Sequence, residues 1–324
     1  MKRQLIHLLA LLWLLLGGGT AVAEDIPKIR AAVLQIGTVN WELQTILNNG
    51  FDRANGFELL VQPYADNGAT RVALEGDAAD LAVADWIWTA RQRAAGKDYV
   101  FIPYSRATGG LVVPAESPVQ SLPDLKGRSL GIVGGPLDKS WLILQAYAAQ
   151  VHGFDLSAET EQVYGAPPLM FKVGLSGETD GVINFWHFLA KMKAEGMREV
   201  VSVSEATHAL GLNPETPLVG YIFKERFLRE NPGLAHAFYQ ATRDAKDLLA
   251  RDDAAWEEIR TMMNAKSDAQ FKQLRADFRA GIPTDGPVDQ ADAAQFLALM
   301  AELGGDKLVG RATTLPDGLF ADVR

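Results

Sequence analysis

Cysteine is absent from the 324 residues. The chain can therefore form no disulfide, use no thiol nucleophile and carry no lipoprotein anchor, which requires a cysteine directly after the cleavage site. Histidine is also scarce, with five residues, and their spacing is not that of a zinc site. We expect no bound metal, and we expect the fold to be stabilised by packing alone.

Motifs typical of catalysis or nucleotide binding are missing as well. The sequence has no H-E-x-x-H or S-x-x-K arrangement. The glycine-rich segment 131–136 lacks both the dinucleotide-binding spacing and the Lys-Ser/Thr pair of a P-loop, so we interpret it as a tight turn. The expectation is a protein that is not an enzyme and has no cofactor.

The N-terminus has the pattern of an export signal. Lys2 and Arg3 precede an apolar run at 8–16, and the small residues Ala21-Val22-Ala23 form a cleavage site. We expect cleavage after residue 23 and a periplasmic location. No later run is apolar over the roughly 20 residues that a membrane-spanning helix needs.

Basic residues are in the minority. Without Lys2 and Arg3 the mature chain has 29 basic and 40 acidic side chains, a net charge of -11. That balance repels nucleic acids and anionic lipid surfaces, so neither is an expected partner. We interpret the charge as ordinary solubility charge, and we expect a monomer.

Short β-rich runs alternate with helical patterns through the first two-thirds of the mature chain, which indicates an α/β protein with parallel strands. The pattern then changes to four amphipathic helices, with Asn231 and Asp289 as N-caps of the first and the last. The predicted strands are 29–34, 58–62, 81–84, 100–103, 111–113, 129–133, 181–184, 200–203 and 219–223. The predicted helices are 232–250, 254–263, 268–280 and 289–303.

An internal near-repeat indicates two similar lobes. Asp80 leads into an apolar strand and is followed six residues later by Trp86, and Asp180 leads into another strand and is followed six residues later by Trp186. Each copy has a helix end, a glycine-containing turn, a buried strand and the start of the next helix.

Proline-rich and polar segments mark two crossings between the lobes, an arrangement that forms a hinge. The predicted first lobe comprises 24–113 and 218–324, and the predicted second lobe comprises 114–217. The helical tail is expected to pack on lobe 1.

Three segments resemble the family of periplasmic binding proteins for nitrate, sulfonates, taurine and thiamine precursors. They are LEGDAADLAV at 74–83, SLPDLKGRSLG at 121–131 and GETDG at 177–181. The resemblance covers nearly the whole chain and implies a two-lobed clamshell of the type II periplasmic-binding fold. It also implies a small-molecule ligand and delivery to the permease subunits of an ABC importer.

Ligands of open α/β sheets bind at the carboxyl ends of the strands. Five of the seven tryptophans lie in or beside the loops at those ends, which predicts an aromatic-lined cleft, although packing in the core is the alternative for each. Trp41 and Trp186 are the preferred ligand contacts, whereas Trp88 is expected to pack. The candidate binding residues are Thr38, Asn40, Trp41, Asn67, Arg71, Asp85, Trp86, Asp138, Trp141, Asn184, Trp186 and His187.

The polar candidates have alternative roles. Asp85, Asp138 and Asn184 occupy positions where a helix N-cap is needed, and capping is the favoured role for them. Arg71 and Lys139 could neutralise an anion or form exposed salt bridges. His187 could bind ligand or only its own loop. We expect a planar or amphipathic organic ligand rather than a compact inorganic anion.

Two other functions remain open from the sequence. The clamshell could present its ligand to a membrane sensor or assist maturation of a periplasmic enzyme. The resemblance also includes a pyrimidine-synthesising enzyme, which export and the lack of cysteine disfavour.

Overall fold

The computed structural model describes residues 26–323. The predicted leader, with its cleavage site after Ala23, lies outside the described residues. Over the part of the chain that is described, the fold comprises two five-stranded mixed sheets flanked by helices. None of the helices in that part is long and apolar enough to cross a membrane.

The first segment alternates strands and helices and builds most of the first sheet. Its elements are β1 (Lys28–Leu34), α1 (Val39–Asn49), α2 (Phe51–Ala54), β2 (Glu58–Tyr64), α3 (Asn67–Glu75), β3 (Leu81–Asp85), α4 (Trp86–Ala94) and β4 (Tyr99–Ser105).

The second segment builds the second sheet. Its elements are β5 (Gly110–Val113), a 3-10 helix (Leu122–Leu125), β6 (Ser129–Val133), α5 (Lys139–His152), β7 (Glu161–Gly165), α6 (Pro167–Ser176), β8 (Gly181–Asn184), α7 (Trp186–Ala194), β9 (Arg198–Ser202) and α8 (Val203–Ala209).

The third segment returns to the first sheet and continues as helices. Its elements are β10 (Val219–Lys224), α9 (Glu225–Glu230), α10 (Leu234–Arg251), α11 (Ala254–Ile259), a 3-10 helix (Arg260–Met263), α12 (Asp268–Ala280) and α13 (Gln290–Val309).

The two sheets have the same topology. The first has the strand order β2-β1-β3-β10-β4, and the second has the order β7-β6-β8-β5-β9. In each sheet the fourth strand is antiparallel to both of its neighbours, and it is the strand that follows a crossing from the other lobe. This confirms the α/β two-lobed fold class.

The aspartates of the near-repeat have the same structural role in both lobes. Asp80 accepts a hydrogen bond from the backbone N–H of Arg30 in β1, at 2.8 Å, and also pairs with the Arg30 guanidinium. Asp180 accepts from the backbone N–H of Ser129 in β6, at 2.9 Å, and pairs with Arg128. Each carboxylate therefore joins the start of its own strand to the neighbouring parallel strand.

The first crossing lies earlier than predicted. The strand Gly110–Val113 pairs with β8 and β9 of the second sheet, so it does not belong to the first lobe. We therefore propose that residues 106–109 form this crossing, in place of the predicted boundary at 113. The return crossing ends at Leu218, immediately before β10.

Two details of the predicted elements were wrong. Strand β7 was not predicted, because this edge strand is largely exposed and its sequence, EQVYG, has no apolar alternation. Asn231 does not cap α10, whose N-cap is Gly233 in the left-handed region, with φ 83°. The predicted cap at Asp289 is confirmed, since its side chain accepts from the N–H groups of Ala291 and Asp292.

The helical tail packs on lobe 1, as predicted, and it also contacts lobe 2. Helix α10 lies against α1 in the first lobe. Helix α12 packs against α7, and α13 packs against both α4 and α5. The tail thus joins the two lobes, and it also contacts the first crossing, where the backbone N–H of Arg106 donates to the carbonyl of Gly281 at 3.0 Å.

Candidate functional site

A cavity of about 340 Å³ lies between the two lobes. Its first-lobe wall comes from the β1–α1 loop, α3 and the ends of β3 and β4. Its second-lobe wall comes from the loop before α5 and the start of α7, and the crossing residues Ala107, Thr108 and Gly109 join the two walls. The cavity therefore lies at the carboxyl ends of the parallel strands, where ligands of such folds bind.

The structure brings seven of the twelve candidate residues to this cavity. They are Thr38, Asn67, Arg71, Asp85, Asp138, Trp186 and His187. The other five, which are Asn40, Trp41, Trp86, Trp141 and Asn184, do not line it.

The cavity has aromatic lining from Tyr104, Phe185 and Trp186, but four of the five tryptophans considered from the sequence do not line it. Trp86 and Trp141 are buried in the core, where Trp86 packs edge to face on Phe296 with ring centroids 5.8 Å apart. Trp41 is buried behind the wall and contacts Trp186 edge to face at 5.8 Å. Trp186 is therefore the tryptophan that faces the cavity, and Trp41 supports it from behind.

The side-chain amides of Asn40 and Asn184 form hydrogen bonds with the backbone. The Asn40 side-chain amide donates to the carbonyls of Leu34 and Gly37, at 2.8 and 2.9 Å, and so fixes the β1–α1 loop. The Asn184 amide donates to the carbonyl of Pro167 at 3.0 Å. The N-cap position of α7 is Phe185, so the capping role predicted for Asn184 is wrong.

Asp85 and Asp138 are helix N-caps, as predicted. Asp85 accepts from the N–H of Trp88 at 2.8 Å, and Asp138 accepts from the N–H of Trp141 at 3.1 Å. Asp85 has a second contact, because its Oδ2 lies 3.1 Å from Nζ of Lys139 in the opposite lobe. This ion pair is mostly shielded from solvent and joins the lobes across the cavity.

Arg71 does not form the exposed salt bridge considered from the sequence. Its guanidinium is half-buried, stacks on Trp88 at 4.4 Å from the ring centroid, and has a buried Nε with no hydrogen-bond partner among the described residues. Burial lowers the pKa of this group, and the charge of Asp85 partly opposes the shift. The side chain is held in place without a carboxylate bound to it.

His187 is a neutral group in this site. Desolvation lowers its pKa to about 3, and the charge of Lys191 adds to the effect. Its ring also contacts Phe188, with centroids 4.6 Å apart. At neutral pH it can therefore offer one donor and one acceptor nitrogen but no charge.

Sequence reasoning missed Tyr104, which also lines the cavity. Its Oη is buried, and no atom of the described residues meets strict hydrogen-bond geometry with it. The Thr38 hydroxyl lies nearby and tends to lower the pKa of the phenol. Burial has the larger effect and raises the pKa, so the phenol is neutral. The sequence pattern did not distinguish Tyr104 from its neighbours, because it lies in an apolar strand, YVFIPYS, whose composition predicts a core position.

A buried ion pair lies behind Tyr104. Glu42 of α1 and Lys246 of α10 are both almost fully buried, with Oε2 and Nζ 2.7 Å apart. The hydroxyl of Tyr221 donates to the other Glu42 oxygen at 2.7 Å. Lys246 Nζ lies 5.4 Å from the Tyr104 ring centroid. The ion pair thus connects the helical tail to the first-lobe wall of the cavity.

Comparison with known proteins agrees with this geometry. The family model described as NMT1/THI5 like matches residues 47–255, which is more than half of the chain. The chain belongs to the NMT1/THI5 like family. In this member of the NMT1/THI5 like family, the match covers every strand of both sheets except β1, and it ends within α11 of the helical tail. No curated protein matches the chain.

Solved structures share the fold at low sequence identity. The periplasmic aliphatic sulphonate binding protein SsuA from Escherichia coli is 16% identical, with a TM-score of 0.70 over 89% of this chain and 92% of that one. The alkanesulfonate-binding protein SsuA from Xanthomonas axonopodis pv. citri, bound to MOPS, is 16% identical, with a TM-score of 0.64 over 90% and 96%. An ABC transporter protein from Parabacteroides distasonis is 15% identical, with a TM-score of 0.66 over 91% and 99%. At these identities the likeness establishes the fold alone.

Proposed function

We propose that this protein is a periplasmic solute-binding protein that encloses a small organic ligand between its lobes and delivers it to an ABC importer. The observation that carries the proposal is the cavity of about 340 Å³, because both lobes supply its polar and apolar lining. A volume of this size fits a small organic molecule.

The lining of the cavity combines fixed polar groups with an apolar surface. Its fixed polar groups come from helix starts and strand ends, and its apolar surface comes from Val33, Val83, Ile143 and Trp186. Among residues 26–323, no group of three or more histidine, aspartate or glutamate side chains is arranged to hold a metal ion. We propose that the ligand leaves the site chemically unchanged.

The partner and the location follow from the same proposal. The similar structures named above include periplasmic sulfonate-binding proteins and an ABC transporter protein, which supports export to the periplasm and docking on permease subunits. We expect the mature chain to act as a monomer, since one chain supplies both walls of the cavity.

Trp186 provides the direct test of the site. Its ring contacts both the cavity and Trp41, so ligand binding is expected to change the intrinsic fluorescence. Titration of the mature protein with fractions of a periplasmic extract should give a saturable change, and Trp186→Ala should weaken binding at least tenfold. Tyr147→Ala is the control, because Tyr147 does not line the cavity and its ring contacts His152. Normal binding by Trp186→Ala would contradict the placement of the site.

A further inference from the structure

The charged side chains of the cavity define which ligand it can hold. Four residues of its lining carry charge at neutral pH: Arg71 and Asp85 in the first lobe, and Asp138 and Lys139 in the second. Asp85 and Lys139 neutralise each other at 3.1 Å. His187 carries no charge at neutral pH. Two charged side chains remain, which are the cation Arg71 in the first lobe and the anion Asp138 in the second.

Neither of the two remaining charges forms a direct ion pair in the described chain, although Asp85 acts on Arg71 and Lys139 acts on Asp138 at longer range. Within the described chain, no carboxylate lies within 4.0 Å of the Arg71 guanidinium, and no ammonium or guanidinium lies within 4.0 Å of the Asp138 carboxylate. Both are partly withdrawn from water by the cavity walls. A partly desolvated charge is stabilised when a ligand supplies the opposite charge.

Arg71 is preorganised for an oxyanion. Trp88 stacks on the guanidinium at 4.4 Å, and the buried Nε has no hydrogen-bond partner among residues 26–323. A guanidinium edge binds the two oxygens of a carboxylate with two parallel hydrogen bonds. Tyr104, in the same wall, offers a phenol O–H beside the Thr38 hydroxyl.

Asp138 is preorganised for a hydrogen-bond donor. Its position is fixed by the N-cap of α5, in which Oδ1 accepts from the N–H of Trp141. A carboxylate has acceptor capacity for several hydrogen bonds, so this cap leaves room for an ammonium or another N–H group of a ligand.

We propose that the ligand is bipolar, with an oxyanion such as a carboxylate bound by Arg71 in the first lobe and an ammonium or other N–H donor bound by Asp138 in the second. Its apolar body lies against Trp186. The inference rests on the proposed binding function and specifies its ligand class. A molecule with only one of the two groups leaves the other side chain without its partner, which explains how the site rejects simple anions and simple cations.

The test compares three probes of nearly equal size in isothermal titration calorimetry: 4-(aminomethyl)benzoate, 4-methylbenzoate and 4-methylbenzylamine. The first carries both groups, and each of the others carries one. The ligand that remains bound to the protein purified from periplasm is also released and its charge at pH 7 is determined by electrophoresis. We expect the released ligand to carry both charges and the bipolar probe to bind at least tenfold more tightly than either single-charge probe.

Two variants assign the charges to the two lobes. Arg71→Gln should reduce the affinity for the bipolar probe to that for the amine, and Asp138→Asn should reduce it to that for the benzoate. Asn preserves the N-cap, so α5 should stay folded. The matched controls are Arg251→Gln, which removes an exposed guanidinium, and Asp289→Asn, which changes another N-cap aspartate. Both controls should change the affinity less than twofold.

The possible failures are distinguishable. A released ligand with charge of one sign only, or with none, overturns the bipolar ligand and leaves the binding function intact. Equal affinity for the three probes, or normal binding by both site variants, also overturns it. A wild-type protein that carries no small molecule and binds neither probes nor any component of the periplasmic extract overturns the proposed function itself.

Discussion

The buried ion pair of Glu42 and Lys246 shows how a single residue can tie the tail to the binding wall. Both groups lie in the core of the first lobe, and burial raises the pKa of Glu42 and lowers the pKa of Lys246 while their mutual attraction opposes each shift. The attraction and the Tyr221 hydrogen bond, at 2.7 Å, offset part of the cost of burying the two charges.

Lys246→Ala is expected to destabilise the protein by about 3–5 kcal/mol, because it leaves the Glu42 carboxylate buried without a counter-charge. Urea unfolding followed by circular dichroism measures the loss. The double variant Glu42→Leu with Lys246→Met removes both charges at similar volume and should be clearly more stable than Lys246→Ala. A double variant less stable than the single one would contradict this explanation.

His187 makes the stability depend on pH. Its pKa is about 3 in the folded protein and 6.5 when it is free, so the unfolded chain binds more protons between these values. Stability from this residue is therefore present above pH 6.5 and decreases as the pH falls towards 3.

His187→Gln should remove this dependence. Between pH 7 and pH 5 the wild type is expected to lose about 2 kcal/mol more stability than the variant, since the proton linkage amounts to 1.36 kcal/mol per pH unit. Urea unfolding at the two pH values measures the difference. Equal losses in both proteins would show that the ring is accessible to protons in the folded state.

At the scale of elements, β10 depends on a glycine where the chain returns to the first sheet. A Cβ on Gly220 would lie 2.3 Å from the carbonyl oxygen of Ile102 and 2.3 Å from the ring of Phe101. The backbone carbonyl belongs to the neighbouring strand β4, so the overlap cannot be relieved by rotating a side chain.

Gly220→Ala is expected to cost about 3 kcal/mol through this overlap. Gly135→Ala is the control, because no atom of the described residues lies within 4 Å of a Cβ placed there and its φ is not in the left-handed region. Thermal unfolding of both variants tests the prediction. A Gly220→Ala protein as stable as the control would contradict the close packing of β10 on β4.

The elements that the sequence predicts well are those with a local cause. Asp80 and Asp180 are recognisable because each directly precedes a strand at the same place in the repeat, and nine of the ten strands carry an apolar run. Strand β7 was missed because it lies at a polar edge.

The direction of side chains could not be predicted from local sequence. Trp86 and Trp186 have equivalent positions in the repeat, yet one is packed against the tail residue Phe296 and the other faces the cavity. Tyr104 is part of the site only because its strand ends beside the opposite lobe. These outcomes depend on packing between distant segments, which periodicity does not encode.

At the scale of the whole molecule, the lobes are connected at several places. The chain passes between the lobes at the proposed crossing, 106–109, and again before β10, and the tail helices α12 and α13 contact α7 and α5 of the second lobe. On the cavity side, the Asp85–Lys139 pair joins the lobes directly. We propose that closure on a ligand pivots about the crossings and the tail.

Capture of the ligand by closure of the two lobes is tested most directly by the distance between the lobes, measured with and without ligand. The absence of cysteine allows two labels to be placed without background, at Ile36→Cys in the first lobe and Leu169→Cys in the second, both of which are exposed. Pulsed dipolar spectroscopy should show a distance distribution that shortens and narrows when the ligand recovered from periplasm is added. A distribution that ligand leaves unchanged would contradict capture of the ligand by closure of the two lobes.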